Sequence, residues 1–429
     1  MIGNKIYNFA KKLWKINRSI TGKGLRETLN HIKKDYLKNL KIHSLPSGKK
    51  VFDWIIPDEW DVDEAYIVTP DNKKICDISK NNLHLVGYSV PFKGTLMLKN
   101  LQKHLYSIPD KPYAIPYVTS YYKKRWGFCI ADNQRKKLKN GKYKIIINSK
   151  HYDGFLNYGE LILPGKSKKQ ILLSTYVCHP SMANNELSGP TVTTFLAIWL
   201  SKFPNRFYTY RILFVPETIG SIAFLSKNYK NLKKNVVGGF NVSCVGDERT
   251  YSFLPSRNGN TISDKIANHT LKWIDQKYKK YSWLDRGSDE RQYCAPGIDL
   301  PIASIMRSKY GKYYEYHTSL DDLKKVVTPR GLEGGYDAIV KALEIFEKNK
   351  YYKTNILCEP QLSRRKLYPD ISSHENNKKT KLLMNIISFC DGNHSLLDIA
   401  EILNSPCWKL YETINILIKK KIIHEVKKN

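Results

Sequence analysis

The chain has 429 residues, of which 41% are hydrophobic, and carries 71 Lys and Arg against 39 Asp and Glu, a formal net charge of +32. This length exceeds what one hydrophobic core usually serves, so two or three domains are expected, and the apolar content excludes a largely disordered chain. Such a charge would attract nucleic acid, membranes or acidic substrates. Because the lysines are spread along the whole chain, without arginine-dense clusters, we attribute the charge to composition and do not expect nucleic acid as a partner.

Two further absences in the sequence bear on where the protein works. No segment approaches the ~18 consecutive apolar residues of a membrane helix, and residues 1–20 lack the apolar run of a signal peptide. The eight cysteines are scattered and form no C-x-x-C pair, which argues against a disulfide framework or a zinc–cysteine cluster. We therefore expect a soluble cytoplasmic protein without membrane contact.

Within the first 150 residues, the predicted secondary structure changes once, from helices to short strands. Residues 1–40 predict helices, with Thr21 as a plausible cap of the second one. From Val51 to about Lys150, short β-prone runs alternate with turn residues. This pattern predicts an inserted, β-rich module over residues 56–152.

From about Leu161 the patterns of strands and helices alternate. The predicted strands are 171–178, 211–217, 236–246 and 301–307, and the predicted helices are 189–203, 219–232, 261–281 and 331–350. Such alternation is typical of an α/β fold in which helices cover both faces of a mostly parallel sheet. We assign residues 1–55 and 153–352 to this discontinuous domain.

The C-terminal part predicts a separate module. Residues 363–379 have the composition of a linker, and residues 365–429 contain three short helical patterns and a β-prone end, as in a winged helix-turn-helix. The candidate recognition region, 405–417, holds one basic residue, whereas DNA readers present several. We therefore expect this module to contact a protein partner or a second copy of the chain.

Histidines and carboxylates follow the predicted strands. His179 and Asp247 come directly after predicted strands, Glu217 ends one, and His317 lies in the polar stretch that precedes the last predicted helix. In open parallel sheets, ligands bind beyond the carboxyl ends of the strands. Imidazole and carboxylate groups gathered there suit Zn²⁺.

Four segments resemble the motifs of the co-catalytic zinc aminopeptidases, and they occur in that family's order. Residues 179–189 resemble the first metal motif, in which a loop ending in Asp-Asn-x-Ser-Gly leads into a helix. Residues 216–221 resemble the segment that carries the general-base glutamate. Residues 288–293 and 316–322 resemble the Ser-Asp-His stretch and the last metal motif.

Segments outside these four motifs make the resemblance more specific. Residues 18–22, residues 117–129 and the C-terminal module resemble a bacterial family that joins an aminopeptidase-like domain, an inserted small β domain and a winged helix. Members of that family often accompany surface-polysaccharide biosynthesis. The resemblance implies an aminopeptidase-like fold for the whole chain.

The resemblance also implies a reaction. His179 and His317 would be zinc ligands, and Glu217 would be the general base that activates a zinc-bound water for attack on an amide. The cofactor would be one or two zinc ions. The substrate would be a small peptide or an N-acyl or aminoacyl compound, with a role in polysaccharide biosynthesis as a further implication.

Three positions depart from the motifs. The bridging aspartate is replaced by Asn185, the second glutamate of a Glu-Glu pair by Thr218, and a further aspartate by Ser243. A neutral amide does not offset the repulsion between two zinc ions. The departures leave two readings, a metal-dependent hydrolase and a non-catalytic binding protein on a degenerate peptidase fold.

Other carboxylates could complete a smaller site. Glu186 adjoins Asn185, and Asp247 follows the third strand, so a single-metal site could use His179, His317 and one of these two carboxylates. A two-zinc site, or a site without metal, remains the alternative.

Three residues are candidates for binding the substrate. Asp289 could orient a ligand or recognise an amine, or could cap a turn. Arg291 and Arg257 could hold an anionic group of the substrate, or could form surface ion pairs.

Overall fold

The structure, a computed structural model, describes residues 1–367 and 374–427. They form two compact units, residues 1–264 with 277–337, and residues 265–276 with those from 338 onward. The α-helices of the described ranges are α1 (Ile2–Leu13), α2 (Lys23–His31), α3 (Leu98–Leu101), α4 (Asp132–Arg135), α5 (Ser188–Lys202), α6 (Ile219–Asn235), α7 (Ile262–Ile274), α8 (Glu290–Tyr293), α9 (Pro329–Lys348), α10 (His374–Ser388), α11 (Leu396–Ile402) and α12 (Cys407–Lys419). The strands are β1 (Lys41–Pro46), β2 (Lys50–Val51), β3 (Trp54–Ile55), β4 (Glu59–Val68), β5 (Lys74–Ile75), β6 (Phe92–Met97), β7 (Leu105–Tyr106), β8 (Phe128–Cys129), β9 (Lys142–Tyr152), β10 (Phe155–Leu163), β11 (Gln170–Tyr176), β12 (Thr209–Val215), β13 (Val236–Asn241), β14 (Ser252–Leu254), β15 (Lys279–Lys280), β16 (Ile302–Met306), β17 (Tyr351–Thr354), β18 (Asp391–Ser395) and β19 (Ile423–Val426).

Eight strands of the first unit form its central sheet, in the order β1-β10-β12-β11-β13-β16-β14-β15. β11 pairs in parallel with β12 and β13, and β13 pairs in parallel with β16. β10 pairs antiparallel with β1 and β12, and β14 pairs antiparallel with β16. The predicted α/β fold is therefore confirmed, with parallel strands at the centre of the sheet, antiparallel pairs on both sides of them, and one further parallel pair, β14 with β15, at one edge.

β11 shows why the central strands could be predicted from the sequence. All seven of its residues are buried, as expected of a strand covered on both faces. The chain then passes through a buried π-helical turn, Ala183–Leu187, and enters α5, whose first ten residues are all buried. Because β11, β12 and β13 run in parallel, their carboxyl ends meet at one edge of the sheet, where ligands bind in folds of this kind.

The segment predicted as an inserted module forms a smaller antiparallel sheet in the order β5-β4-β9-β6. One face of β9 carries the buried side chains of Tyr143, Ile145 and Ile147, and the residues between them are more exposed. This alternation is typical of an antiparallel strand with one face against a core. The sheet belongs to the first compact unit, and the boundaries at residues 56 and 152 stay a prediction.

The second unit contains a three-stranded antiparallel sheet with β17 between β18 and β19. α10 lies between β17 and β18 in the chain, and α11 and α12 lie between β18 and β19. Ser395 and Asp398 form a capping box that starts α11. β17 precedes residue 365, the predicted start of the module, and residues 368–373 of the predicted linker lie outside the described residues.

The longest helices of the described ranges are α9, with 20 residues, and α6, with 17. Charged residues recur throughout α9. Within residues 1–367 and 374–427, no helix combines the length and the apolar composition that crossing a bilayer requires.

A substitution at Gly239 tests how closely β13 packs against β11. A Cβ atom at this position would lie 1.9 Å from the carbonyl oxygen of Leu172. We expect Gly239→Ala to lower the free energy of unfolding by about 1–3 kcal/mol, because overpacking forces the strands apart. Gly87→Ala is the control, since its methyl group would meet Thr119 at an ordinary 3.5 Å. Thermal unfolding followed by circular dichroism would show a lower Tm for the first variant alone, and equal Tm values would contradict this packing.

Candidate active site

One cavity of about 360 Å³ opens at the carboxyl edge of the central sheet. His179 comes three residues after β11, Glu217 two residues after β12, and His317 lies in the loop before α9. The lining consists of Ile20, Trp54, Tyr117, Thr119, Tyr121, Tyr122, Cys178, His179, Glu217, Thr218, Ile219, Arg291 and His317. The structure thus brings together two histidines and a glutamate that are up to 138 positions apart in the sequence, between 179 and 317.

Two buried charged side chains, Glu186 and Arg18, position the imidazole of His179 on the side of its Nδ1 atom. Nδ1 of His179 lies 3.0 Å from Oε2 of Glu186, and Oε1 of Glu186 lies 3.3 Å from Nε of Arg18. The same Nε donates a hydrogen bond to the carbonyl oxygen of His179 at 3.0 Å. The side chains of Arg18 and Glu186 are fully buried, so each charge needs the other, because an unpaired charge in the interior is costly. Nε2 of His179 lies 3.5 Å from Oε2 of Glu217, inside the cavity.

These neighbours also set the protonation of His179. Burial lowers the pKa of the imidazole, but Cys178, Glu186 and Glu217 outweigh burial and raise that pKa well above its usual value. Burial raises the pKa of Glu217, against the influence of His179. A proton between His179 and Glu217 is therefore favoured, and a metal ion binding at the imidazole would have to displace it.

The turn after β12 holds Glu217 by means of a strained residue. Thr218 has φ 67°, a left-handed conformation that is unfavourable for a β-branched residue. Its N–H donates to Oδ1 of Asp289 at 2.7 Å, and its hydroxyl accepts from Nη2 of Arg291 at 2.6 Å. Ser221 also donates to Oδ1 of the buried Asp289, at 2.8 Å. Asp289 and Arg291 thus hold the turn that presents Glu217, and their predicted contacts with a substrate stay predictions.

The backbone around His317 is held by hydrogen bonds with the segment between β7 and β8. Tyr117 donates its N–H to the carbonyl oxygen of His317 at 2.9 Å, and Ser319 donates its N–H to the carbonyl oxygen of Ile115, also at 2.9 Å. The ring of Tyr117 contacts both histidine rings, with its centroid 5.0 Å from that of His179 and 5.1 Å from that of His317. Burial and the neighbouring His179 lower the pKa of His317 to about 3. His317 is therefore a neutral imidazole, the form that binds metals.

The loop that would carry a bridging carboxylate has different contacts here. The hydroxyl of Tyr176 donates to the carbonyl oxygen of Asn185 and also lies 3.1 Å from Oδ1 of the same residue. The Asn185 N–H donates to Oδ2 of Asp321 at 2.9 Å. Asp321 also accepts from the N–H of Asn184 at 2.7 Å, so this carboxylate fixes the backbone of the loop. Nδ2 of Asn185 is buried and lacks a hydrogen-bond partner in the part of the chain that the structure describes.

Two other predicted residues lie away from the lining of the cavity. Oδ2 of Asp247 accepts from Nδ2 of Asn184 and from the N–H of Ser308, each at 3.1 Å. Arg257 forms an ion pair with Asp299 and is 45% exposed at its side chain. Glu186, a third predicted metal ligand, stands behind His179 rather than in the lining. The ligand atoms of Glu186, His179 and Cys178 lie within 4.8 Å of one another, close enough to hold one metal ion. Metal binding by Glu186 and Asp247, and substrate binding by Arg257, stay predictions.

Several residues of the site were absent from the predicted set, among them Arg18, Tyr117, Tyr121 and Asp321. Signals for them existed, because Arg18 and the two tyrosines lie in the stretches 18–22 and 117–129, and Asp321 lies in the motif 316–322. The sequence did not indicate which distant residues they would contact.

A wider groove, of about 690 Å³, lies in the smaller sheet between the turn of β4 and β5 and the turn after α4. Its two aspartates are already paired, Asp71 with Lys73 at 2.9 Å and Asp77 with Lys74 at 3.1 Å. Because its acidic groups are already paired with lysines, we assign the candidate active site to the smaller cavity around His179.

Known proteins share this architecture. The family described as Domain of unknown function (DUF4910) matches residues 7–349, most of the chain. The chain belongs to this family. A winged helix-turn-helix family matches residues 350–425, which places β17 within the winged helix of this DUF4910 protein.

One relative in sequence and two solved structures are similar to this chain. A Clostridium acetobutylicum protein, provisionally named a polysaccharide biosynthesis protein with an aminopeptidase-like domain, is 42% identical over 93% of this chain and 91% of its own length. A crystal structure of a protein provisionally named a peptidase, also from Clostridium acetobutylicum, has a TM-score of 0.91 at 38% identity, over 99% of this chain and 97% of that one. A zinc aminopeptidase from Bacillus subtilis has a TM-score of 0.58 at 12% identity, over 80% and 94%. The predicted aminopeptidase-like fold with a C-terminal winged helix is confirmed.

Arg18→Met tests the pair of buried charges, Arg18 and Glu186. Removing the guanidinium leaves Glu186 buried without its cation, and breaking such a pair costs about 3–5 kcal/mol. We expect a clear fall in Tm, measured by differential scanning calorimetry. Adding Glu186→Gln should recover part of the loss, because the unpaired charge is then gone. Arg330→Met is the control, since Arg330 is 89% exposed and an exposed pair contributes about 0–1 kcal/mol; equal effects of the two single variants would refute the argument.

Proposed function

We propose that this chain hydrolyses amide bonds with one zinc ion, and that Glu217 is the general base. The observation that carries the proposal is that His179, Glu217 and His317 line one cavity. This cavity lies at the edge of a sheet whose fold resembles that of a zinc aminopeptidase. The substrate class is a small peptide or an N-acyl or aminoacyl compound.

The donor groups suit one zinc ion better than two. Imidazole nitrogens are preferred zinc ligands, and His179 and His317, whose ring centroids lie 5.8 Å apart, would hold the ion. A second ion would need carboxylates where this chain has Asn185, Thr218 and Ser243. Oγ of Ser243 is buried without a hydrogen-bond partner in the described ranges, and a neutral hydroxyl does not offset the repulsion between two cations.

Bound zinc would lower the pKa of a coordinated water to about 7 and polarise the amide carbonyl. The protein groups would supply the rest. Glu217 would accept a proton from the attacking water and pass it to the leaving nitrogen. Glu186 occupies Nδ1 of His179, which leaves Nε2 as the nitrogen available in the cavity.

The tyrosine pair at the cavity could act on the carbonyl oxygen of the substrate. The hydroxyls of Tyr117 and Tyr121 lie 2.8 Å apart. Burial raises the pKa of both well above the usual value, so both keep their protons. One hydroxyl donates to the other, and the remaining O–H can donate to an oxygen on which negative charge develops.

A second candidate is a binding protein that has kept the fold without the reaction. The observation that favours it is the contact of Asn185, whose Oδ1 lies 3.1 Å from the hydroxyl of Tyr176. With Thr218 and Ser243 also neutral, the positions of three usual carboxylate ligands hold no charge. In this case the cavity would bind a ligand through Glu217 and Arg291 without hydrolysing it.

The setting of the reaction is a further part of the proposal. The name of the Clostridium relative links it to polysaccharide biosynthesis, which makes an N-acyl group on a sugar one form of the substrate. We also propose that the winged helix contacts a protein or a second copy of the chain. Ile416 and Ile418 on α12 are 36% and 41% exposed, which supports an apolar contact rather than DNA reading.

Elemental analysis of the purified chain tests the zinc site. After reconstitution we expect about one zinc ion per wild-type chain, the stoichiometry of a mononuclear site. His179→Ala and His317→Ala should lose most of it, because each removes one of the two imidazole donors. His31→Ala, a partly exposed histidine on α2, should keep the wild-type content. Two ions per chain would contradict the single-ion site, and no zinc at all would favour the binding protein.

Glu217→Gln tests the general base. We expect this variant to keep its zinc and to lose about 10²–10⁴-fold in kcat, because the amide cannot accept the proton. The rate would be followed as release of the amine from an acylated substrate. Glu248→Gln, whose side chain is 39% exposed, is the control. A wild-type rate in Glu217→Gln would exclude the base, and a zinc-loaded wild type without hydrolysis would favour the binding protein.

A further inference from the structure

Few carboxylates lie near the cavity, and one of them lines it. Glu217 is the one carboxylate among the described lining residues, and it lies 3.5 Å from Nε2 of His179. Asp289 lies behind Thr218 and is fully buried. The ammonium group of a peptide N-terminus only donates hydrogen bonds and needs acceptors when it is removed from water. Glu217 would have to serve this ammonium and the reaction at once.

Arg291 gives the cavity a cation that has no carboxylate at ion-pair distance among the described residues, although it interacts electrostatically with Glu217. It lines the cavity and is exposed, and Nη2 donates to the hydroxyl of Thr218 at 2.6 Å. Within residues 1–367 and 374–427, Arg291 has no carboxylate partner, whereas Arg249 and Arg257 are paired with Glu315 and Asp299. A free guanidinium fork matches the geometry of a carboxylate.

Aromatic rings complete the lining. Trp54 and Tyr122 are 39% and 56% exposed, with ring centroids 5.9 Å apart. The hydroxyl of Tyr122 donates to the carbonyl oxygen of Ile55 at 3.1 Å, which ties the ring to the hairpin of β2 and β3. Rigid, exposed rings of this kind offer contact area to a cyclic group of a ligand.

Building on the proposed hydrolase function, we propose that the cavity takes an N-acylated amine that carries a carboxylate and a ring, rather than a peptide with a free N-terminus. An acylated nitrogen has no charge and needs no anion, the carboxylate pairs with Arg291, and the ring packs on Trp54 and Tyr122. Hydrolysis adds water across the C–N bond. The hydroxyl goes to the acyl carbon and the hydrogen to the nitrogen, so the products are a carboxylic acid and a free amine.

Isothermal titration of the zinc-loaded wild type with four phenylalanine derivatives tests the proposal. The set combines a free or acetylated amine with a free or amidated carboxyl group. We expect N-acetylphenylalanine to bind about tenfold or more tighter than phenylalaninamide, as one charge-assisted pair allows. N-acetylphenylalaninamide should bind about tenfold more weakly than N-acetylphenylalanine, because it lacks the carboxylate. N-acetylmuramic acid, which carries the same groups on a sugar, distinguishes a sugar source from an amino-acid source.

Variants of Arg291 test whether this residue causes the preference for a ligand with a free carboxyl group. Arg291→Ala should remove the tenfold difference between the free carboxyl and the amide, and Arg291→Lys should keep part of it. Arg330→Ala is the matched control, because it removes an exposed cation outside the described cavity lining and should keep the tenfold difference. A preference that survives Arg291→Ala would overturn the assignment of the carboxylate.

The outcomes separate this inference from the proposed function. Preferred binding of N-acetylphenylalanine or N-acetylmuramic acid without amine release would support the binding preference and refute hydrolysis of that ligand. Equal or tighter binding of phenylalaninamide, lost in Glu217→Gln, would overturn the inference and leave an aminopeptidase. Absence of binding by all five compounds would also overturn it.

Discussion

The pairing of Arg18 with Glu186 is the interaction on which the arrangement of the cavity depends. Both side chains are fully buried, and burial of either charge alone would be strongly unfavourable. The pair joins the segment after α1 to the loop before α5, and Glu186 in turn fixes Nδ1 of His179. The position of the imidazole is therefore set by a residue 161 positions earlier in the chain, and any substitution that breaks the pair acts on His179 first.

A second constraint comes from the segment around Tyr117. It supplies the N–H that donates to the carbonyl oxygen of His317 and a ring that contacts both histidine rings. His317 has φ 55°, so its backbone is in an uncommon conformation that needs such support. The candidate site is thus formed jointly by the strand ends, the N-terminal segment and the inserted segment, and none of these three parts contains it alone.

This joint construction explains what the sequence could and could not predict. β11 and α5 were predicted within one or two residues, because continuous apolar runs have a local signature. β17 was not predicted as a strand, and its first two residues were assigned to the α/β domain, because its partners β18 and β19 lie far along the chain. His179, Glu217 and His317 follow from motifs, and metal binding by Glu186 stays a prediction. Its partner Arg18 could be found only from the fold, since contacts between distant residues have no local signature.

The charges of the loop at residues 184–187 favour a reorganised site over an abandoned one. Asn185 removes a negative charge where two ions would be bridged, and Glu186 introduces one that is neutralised by Arg18 instead. Both the buried pair and the left-handed Thr218 are unfavourable in isolation. Yet the pair fixes His179, and Thr218 is held by hydrogen bonds that present Glu217. Unfavourable features that converge on the two groups facing a cavity are typical of a functional site, and they act here on one imidazole and one carboxylate, the groups that a single ion and a single base require.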